Sequence, residues 1–220
     1  MRAAANRPAR VDRSDPLSVV CFGASAGGLD AYSTILSNLP ADTGLAFIIV
    51  HHQPADGKSL LAEILPKVTK MPVVIVADGE TVRANNVYVV PAGQQVTMDG
   101  DHFHIAPIMK EAGWPKNISR FLQTLADDRK KRAIAVILSG FDSDGAAALQ
   151  AIKDEGGIVI AQKFQTAKQP DMPKSAVNTG CVDFLLSPTE IAGRLVRIAS
   201  ERKRAPDSGF ASSDGAKVSS

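Results

Sequence analysis

Short apolar runs recur along this chain, at 17–22, 45–50, 73–76, 133–138, 158–161 and 182–186, broken only by Ser18 and Asp183. Runs of this kind, rich in Val and Ile and without alternation, mark strands buried on both faces, as in a parallel sheet covered by helices on either side. Between them the apolar spacing changes to three and four residues. It does so at 27–38 (Leu29, Tyr32, Ile35, Leu36), 58–68 (Leu60, Leu61, Ile64, Leu65), 117–126 (Ile118, Phe121, Leu122, Leu125), 146–155 and from 188 to about 200. These are helical periods. Pro40 stops the first helix and Pro66 should end the second early. Gly156-Gly157 closes the helix over 146–155, and Ser187 with Glu190 has the spacing of a capping box for the last one. Pro173 is placed to open a short helix that runs through Asn178 and closes at Gly180.

The middle of the chain breaks this alternation. Residues 87–90, 94–98 and 102–106 read as short strands, with Asp99-Gly100 as a hairpin turn between the last two. The expected fold is therefore α/β: a doubly wound, mostly parallel sheet with helices on both faces, and a short antiparallel hairpin insert over about 87–106. Residues 1–16 lack periodicity and 204–220 are rich in Ser, Gly and Ala, so both are expected to be disordered tails around a domain spanning 17–203. No internal repeat is visible.

Composition narrows the function classes. A chain of 220 residues, 45% hydrophobic and 22% charged, suits one globular domain. A net charge of +2 and 5% aromatic residues argue against a nucleic-acid partner. No apolar stretch approaches the roughly 18 residues of a membrane span, and Arg2, Arg7 and Arg10 precede no apolar signal core, so neither membrane insertion nor secretion is expected. Cys21 and Cys181 each lie in or beside an apolar run and read as buried small hydrophobes, which fits a reduced, cytoplasmic setting.

Candidate chemistry gathers where parallel sheets place it, beyond the C-terminal ends of the strands. The first strand runs into Gly23-Ala24-Ser25-Ala26-Gly27-Gly28, a G-x-S-x-G turn at a helix start. The second ends in His51-His52, and the strand over 133–138 ends in Phe141-Asp142-Ser143-Asp144-Gly145. A serine nucleophile needs a base and an acid that orients it, and Ser25, His52 and Asp144 supply those types. Adjacent strand residues face opposite ways, so only one of His51 and His52 can point into the site. Asp144 could instead cap the helix that follows it, with Asp142 competing for either role. The chain order Ser, His, Asp departs from that of α/β-hydrolases.

Nucleotide binding at Gly23–Gly28 is the competing reading, but the stretch lacks a P-loop lysine, and no acid ends the second strand to hold a ribose. His102 and His104 share a strand face without a carboxylate or cysteine at ligand spacing. The calcium-like start at Asp142 runs into Ala146-Ala147-Ala148. No metal and no cofactor is expected.

A further set of short motifs points to a family. Asp78-Gly79-Glu80 is followed by Val87-Tyr88-Val89-Val90-Pro91-Ala92-Gly93, then by Ile137-Leu138-Ser139-Gly140 leading into Ser143-Asp144-Gly145. Met172-Pro173-Lys174-Ser175-Ala176 and Thr179-Gly180 complete it. Together with the serine turn, and with His52 two residues before Pro54, this series resembles the catalytic domain of the chemotaxis-receptor protein-glutamate methylesterases, the CheB family, over about residues 17–195. Residues 133–186 are especially similar to the methylesterase modules fused to receptor methyltransferases.

The resemblance implies Ser25 as nucleophile, His52 as general base and acid, and Asp144 as the residue that orients it. It implies an oxyanion site using backbone N–H groups, with Ala26 and Phe141 at the matching positions. The implied reaction is hydrolysis of γ-glutamyl methyl esters of a methyl-accepting chemotaxis receptor through an acyl-enzyme, with deamidation of receptor glutamine as a second activity. A separate response regulator or a receptor methyltransferase is an implied further partner. With about sixteen residues before the first strand, no receiver domain, and so no control by phosphorylation in cis, is expected.

Three positions depart from the family pattern. Ala26 stands where threonine is usual, Gly140-Phe141-Asp142 replaces G-M-G, and Lys116-Asn117-Ile118-Ser119 replaces P-S-[VI]-D. A second acid near His52 would raise its pKa. These departures motivate two alternatives: a catalytically weak or inactive binding module docking a receptor or methyltransferase, and an esterase with a different substrate.

Overall fold

The computed structural model describes residues 17–52, 60–108 and 116–204. The tail expected at 1–16, all of the one expected at 204–220 except Arg204, which ends the last helix, and the start of the helix expected from 58 lie outside the described residues. The strands of the described chain are β1 (Val19–Ala24), β2 (Ala46–His51), β3 (Val73–Ile75), β4 (Val87–Val89), β5 (Gln94–Asp99), β6 (His102–Pro107), β7 (Ala133–Ile137), β8 (Ile158–Gln162) and β9 (Phe184–Leu186). They form a parallel sheet in the order β3-β4-β2-β1-β7-β8-β9 and a separate antiparallel pair, β5-β6. The helices are α1 (Gly28–Ser37), α2 (Leu60–Ile64), α3 (Asn117–Arg129), α4 (Leu149–Asp154), α5 (Asp171–Asn178) and α6 (Pro188–Arg204). No described helix is long and apolar enough to cross a membrane.

The continuous apolar runs are explained by two cores. Val19 and Cys21 of β1 and Ile48 and Val50 of β2 point to one face, where they pack on Ile118, Phe121, Leu122 and Leu125 of α3. Val20 and Phe22 of β1 and Phe47 and Ile49 of β2 point to the other, against Tyr32, Ile35 and Leu36 of α1 and Leu195 of α6. Each strand thus alternates between two buried faces, which removes the polar alternation of a half-exposed sheet. Gly23 marks the closest approach on the α3 side. A Cβ built there would lie 2.6 Å from Ile118 Cγ2, so a larger residue would push the start of α3 away from the sheet edge.

One expected boundary moves. The run from Val87 belongs to the main sheet and not to the hairpin: β4 pairs in parallel with β2 (Ile48 opposite Tyr88) and with β3 (Val74 opposite Tyr88). It is buried throughout, so its unbroken apolar sequence follows the rule of the other central strands. The hairpin is β5-β6 alone, with Asp99 opposite His102. It closes over the sheet through Val96, Met98 and Phe103, the last ring lying 5.0 Å from that of Tyr88. At its turn the Gly100 N–H donates to Asp128 Oδ1 (2.9 Å), and Arg129 donates to the Gly100 carbonyl (2.9 Å), tying the hairpin to the end of α3.

Smaller differences have local causes. The helix expected over 146–155 begins as a 3-10 turn at Ala146–Ala148 and becomes α-helical at Leu149. The helix expected to open at Pro173 begins two residues earlier, at Asp171, which leaves Pro173 in the first turn, where its missing N–H costs no bond. The capping box of α6 forms as spaced, the Ser187 N–H donating to Glu190 Oε2 at 2.8 Å.

Chain direction across the sheet reverses at β1. The chain leaves β1 for β2 on one side, and later returns to β7 on the other. The crevice above β1 and β7 is the topological switch point, where ligands bind in open α/β sheets.

Candidate active site

Three polar segments meet at this edge. The parallel register pairs Ala24 with His51, and the His52 N–H donates to the Ala24 carbonyl (3.2 Å). Ser25 and His52 are therefore level with each other, one residue beyond the paired strands. Strand alternation separates the two histidines. His51 faces α1, where its Nδ1 and the Tyr32 hydroxyl share a hydrogen bond (3.3 Å). Burial there pushes its pKa down to about 4, with the neighbouring His52 charge acting the same way. His52 faces the opposite way, and its Nε2–H donates to Asp144 Oδ2 at 2.7 Å.

Asp144 is held from several directions. It does not cap the helix that follows it but the N-terminus of α3. The Ile118 N–H donates to its Oδ2 (2.8 Å), and the Ser119 N–H and hydroxyl donate to its Oδ1 (2.9 and 2.7 Å). The Gly145 N–H also donates to Oδ1 (2.8 Å). Those helix N–H groups have no partner within α3, and the positive end of the helix favours a carboxylate there. Burial acts to raise the Asp144 pKa, but the hydrogen bonds from His52, Ser119 and Ile118 outweigh it and hold the carboxyl below its ordinary value. For His52, burial acts to lower the pKa, and Asp144 followed by Asp142 reverses this, leaving the imidazole above its ordinary value.

The serine turn is fixed through its backbone. The Ser25 N–H donates to the Ser139 carbonyl (3.0 Å), and the Ser139 hydroxyl donates to the Ala26 carbonyl (2.8 Å). Ser139 is fully buried and receives the Gln169 N–H on its hydroxyl (2.9 Å), while its own N–H donates to Gln162 Oε1 (2.9 Å). Gly140 leaves room for this arrangement. A Cβ there would meet Met172 Sδ at 2.1 Å and Ser25 Cβ at 3.0 Å. The Ser25 hydroxyl itself takes part in no hydrogen bond among the described residues. Neither the Ala26 nor the Phe141 N–H has an acceptor among them, and both stand next to residues that anchor the site. The Phe141 ring is 52% exposed, so it lines the rim.

A family profile described as CheB methylesterase matches residues 20–195. The chain belongs to the CheB methylesterase family. By that membership it is an ester hydrolase. A Leptospira interrogans protein, provisionally named a protein-glutamate methylesterase/protein-glutamine glutaminase, is 31% identical over 180 residues, covering 81% of this chain and 93% of its own length. A Moorella thermoacetica protein-glutamate methylesterase/protein-glutamine glutaminase is 32% identical over 192 residues, covering 84% of this chain but 45% of its own length. The Thermotoga maritima CheB methylesterase catalytic domain superposes with a TM-score of 0.76 at 27% identity, covering 83% of this chain and 98% of that one.

The structure thus joins His52 to Asp144 directly and sets Ser25 level with His52 without a hydrogen bond between them. Ser139 and Ser119 lie in stretches that the sequence compares with the family pattern, but no role could be read for either, and Gln162 carried no signal, since what the three do depends on contacts between distant segments. His102 and His104 lie on β6, His104 facing Asp78 at 3.9 Å. Among the described residues no group of three or more metal-ligating side chains could hold an ion. Both cysteines are free and buried.

Proposed function

We propose that this chain hydrolyses γ-glutamyl methyl esters of a methyl-accepting chemotaxis receptor, with Ser25 as nucleophile, His52 as base and acid, and Asp144 as the residue that orients it. The observation that carries this reading is the 2.7 Å bond from His52 Nε2 to a carboxylate fixed on a helix N-terminus, beside the serine turn of a CheB methylesterase family chain. Because Nε2 is committed to Asp144, Nδ1 is the nitrogen that receives the serine proton. Ser25 Oγ attacks the ester carbonyl carbon as its proton passes to Nδ1. Bonds between a nucleophile and its base commonly tighten only with substrate in place. The Ala26 and Phe141 N–H groups, without acceptors among the described residues, suit the oxyanion that develops. The ester bond then breaks, and His52 returns the proton to the departing methoxide, giving methanol. Water, deprotonated at the same nitrogen, releases the glutamate and frees Ser25.

The second activity in the relatives' names, protein-glutamine glutaminase, fits the same steps with ammonia leaving in place of methanol. A cytoplasmic setting, and a response regulator or receptor methyltransferase as a further partner, belong to the same proposal. Incubating the protein with methyl-labelled receptor tests the substrate: methanol release is expected, with little turnover of small methyl esters. Tight receptor binding without any release would favour the docking-module alternative, and release from the small esters alone would contradict the receptor assignment.

A further inference from the structure

The mechanism above uses one carboxylate, but His52 faces two. Its Nδ1 is buried and has no hydrogen-bond partner among the described residues, and Asp142 Oδ2 stands 3.4 Å from it. The other oxygen of Asp142 is engaged: Oδ1 accepts the Asp144 N–H at 2.7 Å. That bond locks the side chain across its own turn, with the Asp142 backbone at φ 75°, a left-handed conformation that Asp and Asn tolerate better than most residues. The carboxylate thus stands 3.4 Å from the nitrogen that takes the serine proton in the proposed mechanism, and the loop that places Asp144 on one ring nitrogen places Asp142 near the other.

We propose that Asp142 is a positioning residue that pairs with the protonated Nδ1 of His52, holding the ring as an imidazolium between two carboxylates and moving the working range of the site toward alkaline pH. A neutral imidazole with its proton on Nε2 turns the Nδ1 lone pair toward a carboxylate, which is repulsive. A protonated Nδ1 turns an N–H toward it, which is attractive. Asp142 therefore competes with Ser25 for the same nitrogen: Nδ1 must lose its proton before it can accept the one from the serine. Once that has happened, Asp142 stabilises the imidazolium that forms as Ser25 attacks. The residue lowers the fraction of competent base on the acid side and strengthens the base on the alkaline side.

The other groups around the ring do not supply this effect. Among the described residues, Asp144 is already committed to Nε2. His51, next along β2, points to the opposite face and is held neutral by burial. On β1, Cys21 is buried with its thiol pushed far up, first by burial and then by the Asp144 charge, so it is uncharged. From α3 come the N–H of Ile118 and the N–H and hydroxyl of Ser119, all directed at Asp144.

The test uses the full chain with Asp142→Asn and Asp142→Gly. Asparagine keeps the Oδ1 acceptor for the Asp144 N–H and removes the charge; glycine suits the positive φ and removes the side chain. His52 is titrated by NMR, its resonances assigned from a His52→Gln spectrum, and kcat/KM for ester hydrolysis is measured from pH 5 to 10. Both variants are expected to titrate His52 at lower pH than the wild type while His51 is unmoved. The acid limb of the rate profile should shift down with it, giving a variant-to-wild-type ratio above 1 on the acid side that falls below 1 on the alkaline side. The kinetic arm rests on the esterase reading, and the titration does not. A His52 titration unchanged in both variants overturns the proposal whether or not the protein hydrolyses esters. A lowered titration with no hydrolysis in any of the three supports the pairing and contradicts the esterase reading.

Discussion

Asp144 does two jobs with one carboxylate, and they are separable by substitution. Its Oδ2 accepts both His52 Nε2–H and the Ile118 N–H, while Oδ1 accepts from Ser119 and Gly145. Asp144→Asn keeps an oxygen for the helix but removes the charge that holds the imidazolium. In the proposed mechanism kcat then falls by on the order of 10⁴ while the fold survives. Ser119→Ala removes only the hydroxyl that donates to Oδ1 and receives the Gly145 N–H. It should cost about 1 kcal/mol in denaturant unfolding and lower kcat more than it changes KM. Equal activity with lowered stability would make Ser119 a purely structural partner. The serine, the second histidine and the acid were legible as residue types at strand ends. Ser119 was not, because a serine in the first turn of a helix has no chemical meaning until another loop places a carboxylate above it.

At the scale of elements, the site depends on how closely the loop after β7 approaches the turn after β1. Gly140 is the contact point. Gly140→Ala would drive a methyl group into Met172 and against Ser25 Cβ, and the Met172 N–H donates to the Gly140 carbonyl (3.0 Å), so α5 cannot simply retreat. The expected outcome is a folded protein with a lower melting temperature and a loss of ester hydrolysis larger than the loss of substrate binding. Unchanged kinetics would show that the loop yields without moving the serine. Most elements could be read from periodicity, because each apolar run is both short and bounded by Gly, Pro or a cap. The exception, β4, was drawn into the hairpin by its nearness in sequence to β5 and β6. Its unbroken Val87–Val89 pattern matched a central parallel strand, and the crossover that seats it between β2 and β3 cannot be read from spacing.

Across the whole molecule, the two neighbouring histidines impose opposite pH slopes on stability. His51, buried against Tyr32, has its pKa pushed down to about 4. Between that value and the unfolded pKa of about 6.5, the unfolded chain binds a proton that the folded one does not. Stability therefore falls as pH drops through this window, by on the order of 3 kcal/mol. His52 is raised by its carboxylates against the opposing effect of burial, so its contribution is complete below about pH 6.5 and is lost as pH rises through the folded value. Asp144, held low by its hydrogen bonds against burial, contributes above about pH 3.9 and loses that contribution as pH falls through its folded value. Melting temperature should thus peak near pH 6.5, and His51→Gln should flatten the decline between 6.5 and 4 while leaving the alkaline side unchanged. An identical acid slope in the variant would contradict the burial argument. Removing the Ser25 hydroxyl decides whether this residue is the nucleophile. Methanol release from methylated receptor should be measured for the wild type and for Ser25→Ala at the pH of highest rate. Sustained release is expected from the wild type and none above background from the variant, with receptor binding retained by both. Equal release from the two proteins would rule out Ser25 as the nucleophile.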